Sequence, residues 1–267
     1  MISNRTIAAW TRGGRVLLLL CVMALVGAAN PAVAAGCMFE SQGEGRVIAV
    51  IDGRTFRLED GREVRLAGVE PVTIEKAKTT DADALYALVH DRNVTLRGES
   101  DAPDRYGRQP AFVFLDQTEI SVQDLLLQQG KALVSPAIFD KDCAASLMLA
   151  EAAARKGKQG IWSDHASTQN AGDPGTLLAR IGQFTVVEGQ VLSVREAGAT
   201  TYINFGRRWT RDFAVTISRR MMPAFEAAGV AVKSLENWRI RVRGWIEARG
   251  GPRIEALQTG QIELLSD

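Results

Sequence analysis

Histidine and cysteine are scarce in this 267-residue chain: two histidines, His90 and His165, and three cysteines. Neither histidine has Cys or Asp at a metal-ligand spacing, which argues against a zinc centre. No Gly-rich phosphate loop and no G-x-S-x-G elbow occurs, which sets aside nucleotide-cofactor chemistry and Ser-His hydrolysis. An excess of one charge is also missing, since 32 Lys+Arg face 31 Asp+Glu. The molecule therefore has no overall field to attract a polyanion, and any anion-binding surface must be local. Long hydrophobic runs are absent too. The apolar stretch at residues 16–29 is too short to span a bilayer comfortably.

What remains is an ordinary globular composition, 46% hydrophobic and 24% charged, unlike collagen, coiled coil or a disordered chain. Residues 1–34 carry Arg5, Arg12 and Arg15 and no acid, then the apolar stretch, then Ala32-Val33-Ala34. A basic start, a short apolar core and an A-x-A site read as a secretory signal peptide, with a retained anchor as the alternative. The expectation is export, to periplasm or medium. Removing the three arginines takes the net charge from +1 to −2. Residues 35–170 hold 16 basic and 21 acidic side chains, and residues 171–267 hold 13 and 10. The second half is thus the better place for a diffuse anion-binding surface. Cys21 lies in the leader, leaving Cys37 and Cys143. An even pair in an exported chain suggests one disulfide rather than two free thiols. The loop would be long, worth about 4–5 kcal/mol by the chain-entropy argument. Lipid attachment at Cys37 lacks the bulky residue expected in Ala34-Ala35-Gly36.

From Gly45 the pattern alternates as a strand does. Residues 46–51, 55–58 and 63–67 are short runs separated by Asp52-Gly53 and Asp60-Gly61, the signal of a three-stranded meander. Thr80 with Asp83 opens a helix to about His90, and Ser121 with Asp124 caps a second that Gly130 stops. A third helix is expected from about Asp140 to Lys156, and two further strands at 93–98 and 111–115. Together these predict a mainly β fold with α: a five-stranded barrel with three helices over 45–162. Residues 163–178, rich in Ser, Asn, Asp, Gly and Pro, read as a linker. Strands at 184–194, 200–205, 212–217, 239–246 and near 254–256, with a helix at 219–228, predict a second small β-barrel-like domain over 179–267.

The first domain resembles the staphylococcal nuclease (thermonuclease) family. The resemblance rests on Asp52-Gly53-Arg54-Thr55, on Arg65-Leu66-Ala67-Gly68-Val69-Glu70 and on Arg105-Tyr106-Gly107-Arg108 followed by Ala111-Phe112-Val113-Phe114. Gly130-Lys131-Ala132-Leu133-Val134 and Gly160-Ile161-Trp162 extend it. It implies an OB-type barrel, and in the family an activity that cleaves DNA and RNA phosphodiesters with calcium. Such hydrolysis needs a positioned water, a proton acceptor and positive charge on the transition state. By resemblance, Arg65 and Arg108 hold the phosphate-clamp positions. Arg54 stands where the first calcium-binding Asp belongs, and Glu70 where the second does. Thr73 falls on the general-base position, and a neutral hydroxyl cannot fill that role at neutral pH. Arg54 is expected to pair with Glu70, its guanidinium roughly in the place of the lost metal. Glu75 is an alternative base, and Asp101 or Asp104 alternative ligands, if the loop changes register. Taken outside the motif, Arg65 reads as a surface partner of Glu63 or Glu44, and Arg108 of Asp104.

In the second domain, Arg239, Arg241, Arg243 and Trp245 share one face of a strand by their period of two. Such a stripe resembles a surface that tracks a phosphate backbone and stacks bases; the alternative is cross-strand ion pairs with Glu247, Glu255 or Glu263. Gly206-Arg207-Arg208-Trp209-Thr210-Arg211 is a further basic, aromatic loop. Three functions follow: a degenerate nuclease that binds single-stranded nucleic acid or another polyanion, with no metal or cofactor; an active nuclease that uses calcium; or an envelope interaction module.

Overall fold

The computed structural model describes residues 37, 39–72, 81–116, 118–138, 140–163 and 167–265, all within one compact unit, Ala34–Asp267. The leader, Thr73, Glu75, Thr80 and His165 lie outside the described residues. No helix among the described residues is long and apolar enough to cross a membrane.

The first domain opens with the meander β1 (Ser41–Asp52), β2 (Thr55–Leu58) and β3 (Glu63–Leu66). After the short β4 (Val69–Pro71) and α1 (Asp81–Val89) come β5 (Asn93–Arg97) and β6 (Gln109–Leu115). Strands β1, β2, β3, β6 and β5 close a barrel in that order, with β3 and β6 parallel at the seam. Helix α2 (Val122–Gln128), β7 (Ala132–Val134) and α3 (Lys141–Lys156) follow. The Ser121 hydroxyl accepts from the Asp124 N–H at 3.0 Å, and the Asp140 carboxylate accepts from the Cys143 N–H at 2.7 Å. Both satisfy amide groups that helix N-termini leave unpaired. Val47, Phe56, Leu58, Val64, Leu66, Leu96, Leu126 and Leu147 are almost completely buried, each contributing about 1.5–3 kcal/mol by burial. Cys37 is joined to Cys143 by a disulfide across 106 residues, which ties the start of the chain to the first turn of α3.

The Gly130 and Gly160 motifs have one physical cause. Both residues adopt positive φ, 60° and 53°, and a Cβ on Gly160 would stand 2.4 Å from the Gly130 carbonyl oxygen. Only glycine lets the two turns touch, and the contact seats Trp162 against the domain, with the Ile161 N–H donating to Gly130 at 3.1 Å.

Part of the expected linker is regular structure. β8 (Thr168–Asn170) runs parallel to β9 (Phe184–Gln190), and α4 (Pro174–Leu178) is capped by Asp173 with Pro174 in its first turn. Its polar and Gly/Pro composition marks caps and turns rather than a loose tether. The strand expected over 184–194 turns a corner at Val191-Leu192, so β9 and β10 (Ser193–Ala197) belong to different sheets. Next come β11 (Thr200–Asn204), β12 (Ala214–Ser218), α5 (Met222–Ala227) and β13 (Arg239–Trp245). The chain ends with β14 (Glu247–Arg249), β15 (Gly251–Glu255) and β16 (Ile262–Leu264). Sheets β10-β11-β12-β15-β14 and β16-β13-β9-β8 enclose a second apolar core around Phe213, Phe225, Ile240 and Ile254.

The two domains meet at a buried charge network. Arg243 of β13 donates to the Glu151 carboxylate of α3 at 2.9 and 3.1 Å and to the Val134 carbonyl at 3.2 Å, and both of its charged neighbours, Glu151 and Glu263, lie within contact. Glu151 also accepts from the Val134 N–H at 2.7 Å and from Arg155 at 2.6 Å. The side chains of Arg243 and Glu151 are fully buried. Burial alone would push the Glu151 carboxyl up, but the Arg243 charge and the hydrogen bonds from Arg243 and Val134 outweigh it and hold it below its ordinary value. Leu133, Ala154, Trp162 and Val186 form an apolar cluster alongside. Removing one partner leaves a buried charge uncompensated, so Arg243→Met alone is expected to lose about 3–5 kcal/mol in urea unfolding, with Arg243→Met/Glu151→Leu recovering most of it. A double variant no more stable than the single one would show that the pair is not the coupling.

Candidate anion-binding site

The turn between β1 and β2 supplies the first guanidinium. The Asp52 carboxylate accepts from the Arg54 N–H at 2.9 Å, an Asx turn that fixes the Arg54 backbone. From there Arg54 reaches Glu70 of β4 and forms a close ion pair, the two side chains 16% and 9% exposed. Glu70 is placed by β7, since Glu70 pairs with Leu133 and the next strand residue leads to Ser135, whose hydroxyl donates to Glu70 at 3.4 Å. Burial pushes the Glu70 carboxyl up, opposed by the charges of Arg54 and Arg65. Burial likewise pulls Arg54 down, opposed by Glu70 and reinforced by the like charges of Arg65 and Arg108. Three guanidiniums therefore share one field.

Arg65, on β3, and Arg108, before β6, converge on Asp104. Arg108 Nε and its terminal nitrogen lie 3.0 and 2.7 Å from the same Asp104 oxygen, and Arg65 is 3.7 Å from it. The other oxygen accepts from the Tyr106 and Arg108 N–H groups at 2.9 and 3.1 Å. Gly107 has φ 80°, which lets this loop turn back so that the Asp104 N–H meets the Arg108 carbonyl at 2.8 Å. Tyr106 stands 70% exposed beside Arg108, its ring centroid 4.9 Å from the guanidinium. Carboxylates thus orient the three arginines, whose side chains stay partly exposed, and a cluster of guanidiniums in one place suits a phosphate oxygen or another anion.

The donor set does not suit calcium, which takes six to eight oxygen ligands. Glu70 is committed to Arg54 and Asp104 to Arg65 and Arg108. Among the described residues, no group of three His, Cys, Asp or Glu side chains could hold a metal ion. Asp101 is exposed and takes no part in these ion pairs. Ser135 is the contributor that sequence reasoning missed. No motif marks it, because only the β4–β7 pairing brings it to Glu70.

The stripe on β13 requires correction. Arg239, Arg241, Arg243 and Trp245 do share a face, but the first domain and neighbouring acids cover its middle, at Arg241 and Arg243, while Arg239 and Trp245 at its ends stay exposed. Arg243 is fully buried at the domain junction. Arg241 lies between Glu188 and Glu263 at 2.8 Å to each, and Arg239 reaches Glu188 at 3.4 Å. Trp245 packs edge-on against Phe184 with centroids 5.9 Å apart. These arginines are engaged in holding the structure. Of the acids expected opposite them, Glu263 is a partner, whereas Glu247 pairs with Arg253.

Asp104 supplies a pH dependence. Partial desolvation would raise its pKa, but hydrogen bonds from the Arg108 side chain and from the Arg108 and Tyr106 N–H groups bring it from the ordinary 3.8 to about 2. A depressed carboxyl contributes stability above pH 4 that is lost as pH falls toward 2. With a side chain 20% exposed, screening limits the contribution to on the order of 1 kcal/mol. Asp104→Asn is expected to remove that segment of the acid-unfolding curve and to leave the curve above pH 5 parallel to that of the unmodified chain.

Residues 63–164 match a family model described as staphylococcal nuclease homologue. The match takes in Arg65, Glu70 and Arg108 and begins at β3, so β1, β2 and Arg54 complete the barrel from outside it. No curated protein matches the chain. The barrel with its three helices, the order of its arginines and the matched segment agree: this chain carries a staphylococcal nuclease-like domain, joined to a second β domain.

Proposed function

We propose that this is an exported staphylococcal nuclease-like protein, a degenerate nuclease whose barrel binds nucleic acid or another phosphate-bearing anion with weak or no hydrolysis. The observation that carries the reading is the Arg54–Glu70 ion pair, set beside Arg65 and Arg108 at the positions that the family uses to clamp phosphate. A family site built around a calcium ion becomes here a site built around a third guanidinium, which retains attraction for phosphate and opposes a divalent cation. Among the described residues of this cluster, Glu70 and Asp104 are both held by arginine side chains and Asp52 accepts the Arg54 N–H, so each carboxylate that could activate water is already engaged with an arginine. A phosphate arriving at the pocket would compete with Asp104 for the outer donors of Arg65 and Arg108, which keeps affinity modest and strongly salt-dependent. Export rests on the basic, apolar and A-x-A pattern of residues 1–34.

The test is binding and hydrolysis of single-stranded DNA by one preparation, in calcium and in chelator. Binding is expected in both, with log K falling by about 0.7 per phosphate contact for each unit of log salt. Arg65→Ala and Arg108→Ala should each reduce that slope by about one contact, and no cleavage should accumulate. Calcium-dependent cleavage that both substitutions abolish would replace this reading with an active nuclease. Absence of salt-dependent binding would favour a protein-interaction module.

A further inference from the structure

The arginines of β13 are paired, whereas on the other sheet of the second domain Arg253 alone is paired, with Glu247, and Arg195 and Arg249 form no ion pair among the described residues. Strands β10, β11, β12 and β15 turn Val194, Ile203, Val215 and Ile254 toward the core. By strict alternation their partners point outward. Arg195 stands opposite Tyr202, and Tyr202 opposite Thr216. On the same outer face β14 and β15 place Arg249 and Arg253. The surface is concave, a groove of about 860 Å³, within the range of ligand-binding clefts.

One wall of the groove is the loop at 206–212, and the loop is held in shape by its own bonds. The Asp212 carboxylate accepts from the Arg208 N–H at 2.8 Å and pairs with its guanidinium at 3.5 Å. The Arg211 and Asp212 N–H groups both donate to the Arg208 carbonyl at 2.8 Å. Gly206 and Gly251 make this closure possible: a Cβ on Gly206 would lie 2.2 Å from the Asp212 carboxylate, and one on Gly251 2.5 Å from the Asp212 carbonyl. The loop thereby presents Trp209 with 77% of its surface exposed and Arg207 beside it. An aromatic ring held out on an ordered loop is a poor feature for a surface with nothing to bind, since it carries apolar area without burying it.

The charge balance of the groove is one-sided. Among the described residues, Arg195, Arg207 and Arg249 are exposed and form no ion pair. Arg253 is neutralised by Glu247 at 3.1 Å and Asp212 by Arg208, which leaves Glu236 as the one further acid of the lining. Free guanidiniums along a concave sheet, with a Trp and a Tyr between them, match alternating phosphates and flat bases better than a uniform polyanion or an apolar peptide. We propose that this groove of the second domain is a binding site for single-stranded polynucleotide, with Trp209 and Tyr202 as stacking platforms and Arg195, Arg207 and Arg249 on the phosphates. It is separate from the barrel pocket and does not rest on the reading given for that pocket.

The full chain carrying Arg65→Ala and Arg108→Ala removes the barrel contribution and isolates this site. Fluorescence anisotropy with a labelled deoxythymidine oligonucleotide of about ten nucleotides is expected to show that this chain still binds. In the same background Trp209→Ala should weaken binding about tenfold, and Arg207→Gln/Arg249→Gln should lower the salt slope by about 1.4. Inorganic polyphosphate should compete poorly, and its own binding should ignore Trp209→Ala. Oligonucleotide affinity untouched by Trp209→Ala, or polyphosphate binding as tight as the oligonucleotide, overturns the proposal in favour of a generic anion surface. Affinity lost entirely with Arg65→Ala/Arg108→Ala overturns it while leaving the barrel reading intact. No binding by the unmodified chain overturns it as well.

Discussion

The Arg243–Glu151 pair is the constraint on which the rest of the structure hangs. Two ions moved from water into an apolar junction each cost several kcal/mol in desolvation, and only excellent geometry offsets that. Here Glu151 has both oxygens filled, by Arg243, Arg155 and the Val134 N–H. Net stabilisation from such a pair is small, but the cost of any other docking is large, because a misplaced domain would strand a charge. The pair therefore selects one arrangement of the two domains, and the apolar cluster of Leu133, Trp162 and Val186 supplies the driving force around it.

That selection extends to the candidate site. Val134, bonded to both Glu151 and Arg243, is the last residue of β7, and β7 pairs with β4 so that Leu133 lies opposite Glu70. Ser135 follows at once and meets the Glu70 carboxylate. The second domain thus braces the strand that fixes the partner of Arg54. Within the site the carboxylates perform a similar task at shorter range, since Asp104 aligns Arg65 and Arg108 and Glu70 aligns Arg54. Preorganised guanidiniums lose less entropy on meeting a phosphate than free ones do. Part of that advantage is returned, because the ligand must draw them from carboxylates already in contact.

Local chemistry made most of the barrel readable in advance. Asp52-Gly53 and Asp60-Gly61 fix the meander, and Ser121 and Asp140 cap helices where their side chains can reach an unpaired N–H. The alternation of β13 was readable as well, but period two gives which residues share a face and not what covers that face. Coverage is a tertiary property, decided by Glu151, 92 residues away in sequence from Arg243. For the same reason the corner at Val191-Leu192 was hidden: Val191 is buried, and the one glycine of the run, Gly189, lies inside β9 opposite Ile240 rather than at the corner. The functional signal on the 206–212 loop was visible as composition, yet its meaning depends on which arginines are left unpaired once the fold forms.

In the reading proposed for the barrel, the Arg54 guanidinium serves where the resemblance places a calcium ion. Calorimetric titration of the full chain with calcium tests it most directly. The account predicts no saturable heat for the unmodified chain at millimolar calcium. A saturable site that Glu70→Gln abolishes would contradict it, because Glu70 would then be a calcium ligand rather than the fixed counter-ion of Arg54.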